Sequence, residues 1–244
     1  MMTYRLADLP VGFDHQYPPR PTSLADYKTA EPPLFSCAVS AEELLAMRQE
    51  LAALRGEDTV AIDPAFCETF ALYLKLAERL PLYDGFMLHA VLLSIDGEGV
   101  AILAPSGIGK TTLSKNLKML LPDQCRIING DKPLVRRAGT DFIGYGTPFC
   151  GKEGWYENAS APIKRLVFLR RAEVDTVTPM PRAEAFPKLY EAVHPPKERD
   201  ALTRLPALLS LLLGAVECYD AALTKEKTAA ALVYKALFQK EIAP

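Results

Sequence analysis

Ala104 to Leu113, reading A-P-S-G-I-G-K-T-T-L, constrains the fold more than any other stretch of this chain. A short apolar run, Val100 to Leu103, leads into it. Leu113, Leu117, Leu120 and Leu121 follow at helical spacing. Strand, glycine loop ending in Gly-Lys-Thr, then helix is the layout of a phosphate-binding P-loop. The chemistry requires these residue types. Gly107 and Gly109 let the backbone curl so that its N–H groups face an anion. Lys110 sets a cation on the β- and γ-phosphates, and the Thr111 hydroxyl is a metal ligand. The start of the helix adds its positive dipole end. The residues expected to hold the nucleotide are therefore Ser106, Gly107, Ile108, Gly109, Lys110, Thr111 and Thr112. The first glycine of G-x-x-x-x-G-K-[ST] is Ala104 here, which costs little where φ is negative.

The rest of the chain arranges itself around this loop. Residues 1–35 are rich in Pro, Tyr and Asp, which fits short edge strands and loops, or equally a partly ordered arm. Ser40 to Glu43 reads as a capping box ahead of Leu44, Met47, Leu51 and Leu54, with Gly56 as the stop. Asp63-Pro64 opens a second helix that Pro81 ends. No flexible linker follows, so residues 1–85 are expected to be an N-terminal extension packed on a domain spanning 86–244. Phe86 to Ile95 reads as one long strand, Asp96 to Gly99 as a turn, and Val100 to Leu103 as the returning strand. The P-loop is thus fed by a β-hairpin.

Beyond the P-loop helix, Arg126 to Ile128 reads as a buried strand that delivers Asp131 to its C-terminal tip, a position that borders the ligand crevice in α/β sheets. A carboxylate there can hold Mg²⁺ or take a proton from an attacking hydroxyl; the plain alternative is a turn-forming Asp after Asn-Gly. Pro133 to Arg137 and Phe142 to Tyr145 form a further hairpin, and Gly146 to Ser160 a surface loop able to cover a site. Lys152 and Glu153 in that loop read as solvated charges, and Arg170-Arg171 as surface charges at a strand end. Ile163 to Leu169 is expected as a strand, 182–193 as a helix broken at Pro187, and Arg199 to Leu213 as a helix. Val216 to Leu223 follows as a strand and Thr228 to Phe238 as the closing helix. His89 sits in an apolar strand, where a lone histidine is ordinarily a core residue.

Composition excludes several classes. A net charge of −2 gives no broad electrostatic attraction to nucleic acid. The five cysteines contain no C-x-x-C pair, so neither a zinc site nor a disulfide framework is indicated. The first residues lack the apolar core of a signal peptide, and Leu205 to Val216 is too short to span a bilayer. The expectation is a cytoplasmic protein without a membrane or nucleic-acid partner.

Three elements stand in order: L-H-A at Leu88 to Ala90, the P-loop, and N-G-D-K-P-L-V at Asn129 to Val135. Together they resemble the catalytic domain of HPr kinase/phosphorylase, of the phosphoenolpyruvate carboxykinase-like kinases, and within it a short branch that includes serine kinases of small proteins or peptides. The resemblance implies an α/β fold with a mixed sheet and a hairpin-fed P-loop. It places the family's upstream histidine on His89, its phosphate loop on Ser106 to Thr112, and its Asp-Asp tip on Gly130-Asp131, with only the second acid present. Its Thr-Pro-x-x-Gly-Lys-like segment falls on Thr147, Pro148, Gly151 and Lys152. The Arg-Gly-x-Gly signature of true HPr kinases is missing, so neither HPr itself as substrate nor phosphorylase activity is expected.

The activity so implied is transfer of the γ-phosphate of ATP to a hydroxyl, that of a serine in a small protein or peptide. Lys110, Asp131 and His89 would serve catalysis, Thr111 and Asp131 would hold Mg²⁺, and homo-oligomers are a further implication. The alternative class is a nucleotide-binding regulatory or sensor module with catalysis lost, which Ala104 and the missing acid favour. Phosphoenolpyruvate carboxykinase itself fits less well in so short a chain. A GTPase would need an Asn-Lys-x-Asp base reader, which Thr224-Lys225-Glu226-Lys227 does not supply.

Overall fold

The structure, a computed structural model, describes residues 1–224, 226 and 228–240; Lys225 and Lys227 of the segment just named lie outside the described residues. The first residues form Met2–Leu6 (β1) and Leu9–Asp14 (β2), an antiparallel pair, joined in parallel by Phe35–Ala38 (β3). Alternation buries Tyr4, Leu6, Val11 and Phe13 on one face, so the short strands of this segment form a packed sheet of their own. Ala41–Arg55 (α1) starts at a capping box in which Ser40 and Glu43 exchange hydrogen bonds, and stops at Gly56 with φ 66°. Pro64–Arg79 (α2) is capped by the Asp63 side chain on the Ala65 N–H. Both helices pack on the small sheet, and that cluster reaches Met87, Leu134 and Phe149 farther along the chain.

The expected single strand over 86–95 is divided into Gly85–Met87 (β4) and Ala90–Ile95 (β5). Between them the Leu88 N–H donates to Pro133 O, and the His89 N–H donates to Ala192 O at 2.7 Å. The backbone changes partners there, which takes His89 out of the ladder and sets it at a break instead of within an apolar strand. Asp96 and Gly97, at φ 53° and 83°, make the tight turn to Glu98–Leu103 (β6). Lys110–Leu120 (α3) follows the P-loop, then Cys125–Asn129 (β7), Leu134–Ala138 (β8), Asp141–Tyr145 (β9) and the long Ser160–Arg171 (β10). Thr176–Pro179 (β11) had no clear signal in its polar sequence; it pairs with the last strand, Glu217–Leu223 (β12).

Arg182–Glu191 (α4) is one helix, unbroken at Pro187, and Arg199–Ala215 (α5) likewise contains Pro206; Ala229–Phe238 (α6) closes the chain. Pro187 falls in the second turn of α4, where the lost N–H forfeits one bond but ends nothing.

The strands form a nine-stranded sheet of order β4-β8-β9-β10-β6-β5-β7, with β12 on β10 and β11 outside it. The P-loop strand β6 runs antiparallel to β5 and parallel to β10. The sheet is therefore mixed. One face packs against α4 and α5 through Leu103, Phe168, Leu189 and Leu209; the other against α3 and α6 through Ile102, Leu117, Val167 and Val233. Full burial of each such side chain contributes about 1.5–3 kcal/mol. None of the described helices is long and apolar enough to cross a membrane.

Candidate phosphate-binding cleft

The P-loop leaves the end of β6 and turns into α3 with Gly107 at φ 80° and Gly109 at φ 121°. Both values lie where a side chain is strained, so these two positions need glycine. Ala104 is absent from the residues with positive φ, which is why an alanine is accommodated there. Gly109 is the N-cap of α3, and no side chain caps that helix end. The first intrahelical bond runs from the Leu113 N–H to Gly109 O, at 3.0 Å. The N–H groups of the first turn are thus free to face an anion at the positive end of the helix dipole.

Lys110 is buried and folds back over its own loop, donating to Ala104 O at 2.6 Å. Burial pushes its pKa down, and the neighbouring Asp131 carboxylate opposes that shift. His89 Nε2 lies 3.4 Å from Lys110 Nζ and 3.3 Å from Asp131 Oδ1. With its proton on Nε2 it donates to the carboxylate. Lys132 Nζ donates to the other carboxylate oxygen, Asp131 Oδ2. Although burial raises the Asp131 pKa, hydrogen bonds from His89 and Lys132 outweigh it and hold the group at about 2. A depressed carboxyl pKa stabilises the fold only while the group is ionised. Wild type is therefore expected to exceed Asp131→Asn by about 2 kcal/mol in urea unfolding at pH 7. The margin should shrink as pH falls from the ordinary 3.8 toward about 2, and a pH-independent margin would refute the pairing.

Asn129 shapes the tip that presents Asp131. Its buried Nδ2 donates to Thr147 O at 2.9 Å, while its Oδ1 accepts from the Asp131 and Lys132 N–H groups at 2.9 and 2.7 Å. That is an Asx turn clamped to the next loop. Tyr73 of the N-terminal segment donates to Lys132 O at 2.7 Å and stacks on Phe149 at 3.9 Å. The loop over 146–159 lies against the tip: the Gly130 N–H donates to Trp155 O, and the Glu157 N–H to Ile128 O, both at 2.9 Å. A Cβ at position 130 would stand 2.5 Å from Cys150 O. The missing first acid of the tip is therefore explained by backbone packed where its side chain would begin.

These elements enclose a cleft of about 570 Å³ lined by His89, Ser106, Gly107, Gly109, Lys110, Thr111, Thr112, Gly130, Asp131, Lys132, Gly151, Lys152, Glu153 and Arg171. Lys110, Lys132, Lys152 and Arg171 outnumber Asp131 and Glu153, so the wall favours a polyanion. Of the residues singled out in the sequence for a role in the site, all but Ile108 line this cleft; Ile108 packs beside α3 and α6. Sequence reasoning overlooked Lys132, although it directly follows Asp131, and read Arg171 as a surface charge. Arg170 does pair with Asp220, at 3.0 Å. Arg171 points the other way. β10 runs three residues past the Phe168–Leu103 pairing and carries the Arg171 guanidinium to the P-loop, 3.3 Å from where a Gly109 Cβ would stand. Only the pairing register reveals this.

Among the described residues, no group of three His, Cys, Asp or Glu side chains converges to hold a metal ion. All five cysteines are buried and free of disulfides.

No protein-family model matches the sequence, and no curated protein does. Among solved structures, the Hpr(Ser) kinase/phosphatase from Coxiella burnetii is similar over 63% of this chain and 97% of its own, at 13% identity and a TM-score of 0.38. A likeness this distant fixes neither fold detail nor activity.

Proposed function

We propose that the chain is a P-loop kinase that moves the γ-phosphate of ATP to a hydroxyl, that of a serine in a small protein or peptide. The observation that carries this reading is the Lys110–His89–Asp131 contact chain, which puts a phosphate-binding cation and a carboxylate in one cleft. Lys110 releases Ala104 O and takes the β- and γ-phosphate oxygens, while the open amides of α3 and the loop cradle the chain of phosphates. Arg171 and Lys132 add positive charge at the rim.

The oxygens of Thr111 and Asp131 suit Mg²⁺, a hard cation that keeps waters and phosphate oxygens as its other ligands. His89 and Lys132 occupy two of the carboxylate's roughly four lone-pair sites, so capacity remains. Bound there, Mg²⁺ would neutralise charge on the phosphates. Asp131 is a weak base at a pKa of about 2. Its role is to accept the hydrogen bond of the attacking hydroxyl and aim it, and a loose phosphoryl-transfer transition state asks for little more. His89 holds that carboxylate in place.

A nucleotide sensor without catalysis is the second reading. It is favoured by the tight engagement of Asp131 and by the absence of a second carboxylate at Gly130. Incubation with γ-labelled ATP, Mg²⁺ and serine peptides separates the two. Label transfer that falls by about 10²–10⁴ in Asp131→Asn supports the kinase. Tight ATP binding with neither transfer nor hydrolysis would sink it in favour of the sensor.

A further inference from the structure

A second cavity, of about 420 Å³, opens beside the phosphate cleft and shares His89 with it. Its walls are Leu103, Ala104, Pro105, Phe168, Leu169 and Ala192. It lies at the C-terminal ends of β6 and β10, beside Asp220 of β12, on the sheet face covered by α4 and α5. Resting on the kinase reading above, the phosphate chain has a direction in this site. Lys110 binds the β/γ end, and its ammonium is 3.4 Å from His89, which in turn contacts Asp131. The terminal phosphate therefore lies by His89, and the cavity that shares His89 opens at the terminal-phosphate end. The crevice on the other flank of the loop, between Thr112, Asn116 and Ala229, encloses only about 20 Å³ among the described residues, room for about one water.

The charges around the larger cavity cancel. Arg170 pairs with Asp220 at 3.0 Å, and Lys188 stands three residues before Glu191 on α4. Two cations, Arg170 and Lys188, and two anions, Asp220 and Glu191, line it, and apart from His89 the rest of its wall is apolar, so the cavity suits a neutral apolar body better than an ionic one. Its volume exceeds that of one side chain.

We propose that this cavity is the acceptor pocket, and that it takes the apolar side chains flanking a serine in a peptide, leaving the serine hydroxyl at Asp131 and the terminal phosphate. In the step, the serine oxygen bonds to the γ-phosphorus as the bond to the β-phosphate bridging oxygen breaks. ADP leaves with that electron pair, and the hydroxyl proton, aimed by its hydrogen bond to Asp131, passes to an oxygen of the transferred phosphoryl group and on to water.

The test compares two fluorescein-labelled peptides, Leu-Phe-Ser-Leu-Phe and Gly-Gly-Ser-Gly-Gly, by anisotropy with ADP and Mg²⁺ present, and in parallel by label transfer from γ-labelled ATP. The apolar peptide should bind at least about tenfold tighter, the worth of one buried apolar side chain. Ala192→Phe, which fills the cavity, should remove that preference while ATP affinity by calorimetry stays unchanged. Ala192→Leu serves as a gentler filler if the first variant fails to fold. Equal affinity for both peptides, or a preference that survives both fillers, overturns the pocket. So does occupancy by a small neutral alcohol that no peptide displaces. Selective, filler-sensitive binding without any label transfer keeps the pocket and discards the kinase instead.

Discussion

Lys110→Ala is expected to abolish detectable label transfer and to weaken ATP binding about ten- to a hundredfold. On the kinase reading proposed above the ammonium binds the β- and γ-phosphates, and a hydrogen bond to a charged group contributes about 1.5–3 kcal/mol. Its loss takes more from the transition state, where charge builds on the phosphoryl oxygens in a water-poor cleft. Removing one such preorganised donor typically costs 10²–10³ in rate, or about 3–4 kcal/mol. The fold should not suffer. The ammonium is buried against a backbone carbonyl, with His89 at a longer 3.4 Å, and burial already lowers its pKa. Lys110→Arg should not rescue activity, because a planar fork does not fit a space that a single ammonium fills. Calorimetric titration with ATP and a thermal melt of each variant check this. Undiminished ATP binding by Lys110→Ala would remove the phosphate assignment.

The second large effect is on stability. Restoring the absent acid by Gly130→Asp is expected to destabilise the protein by about 3 kcal/mol and to lower transfer. A Cβ there would press on Cys150 O, with the Trp155 carbonyl oxygen and Cβ at 3.4 and 3.5 Å behind it. Backbone cannot step aside as a side chain can, and overpacking of this kind costs about 1–3 kcal/mol. The new carboxylate would also sit beside Asp131, where like charges repel and push a proton onto the pair. Gly146→Ala should behave similarly, because its Cβ would overlap Glu157 O. Chemical denaturation reads both. A Gly130→Asp variant as stable as wild type, with higher transfer, would show that the loop over 146–159 moves freely away from the tip.

Much of the local structure was legible in the residues. The glycine loop between β6 and α3, the hairpin that feeds it, both capped helices of the N-terminal segment and the strand that delivers Asp131 each follow from a short run of sequence. In each, the deciding interaction is local: a cap on an orphan N–H, a turn that demands positive φ, or a period of two or 3.6. The division at Leu88 and His89 was not legible, because the bonds that cause it go to Pro133 O and Ala192 O, far along the chain. Pro187 misled for the same reason. Packing of α4 against the sheet and α5 outweighs one missing helix bond.

By itself, then, the sequence determined which chemical groups exist: a glycine loop with Lys110 and Thr111, and a single acid at a strand tip. It did so because turn, cap and helix preferences act over a few residues. Only the tertiary structure decided that His89 bridges Lys110 and Asp131, that Lys132 holds the carboxylate ionised, that Arg171 joins the cleft, and that a second acid at 130 has no room. Those outcomes depend on strand register and on where one loop's backbone lies against another, which no local preference encodes.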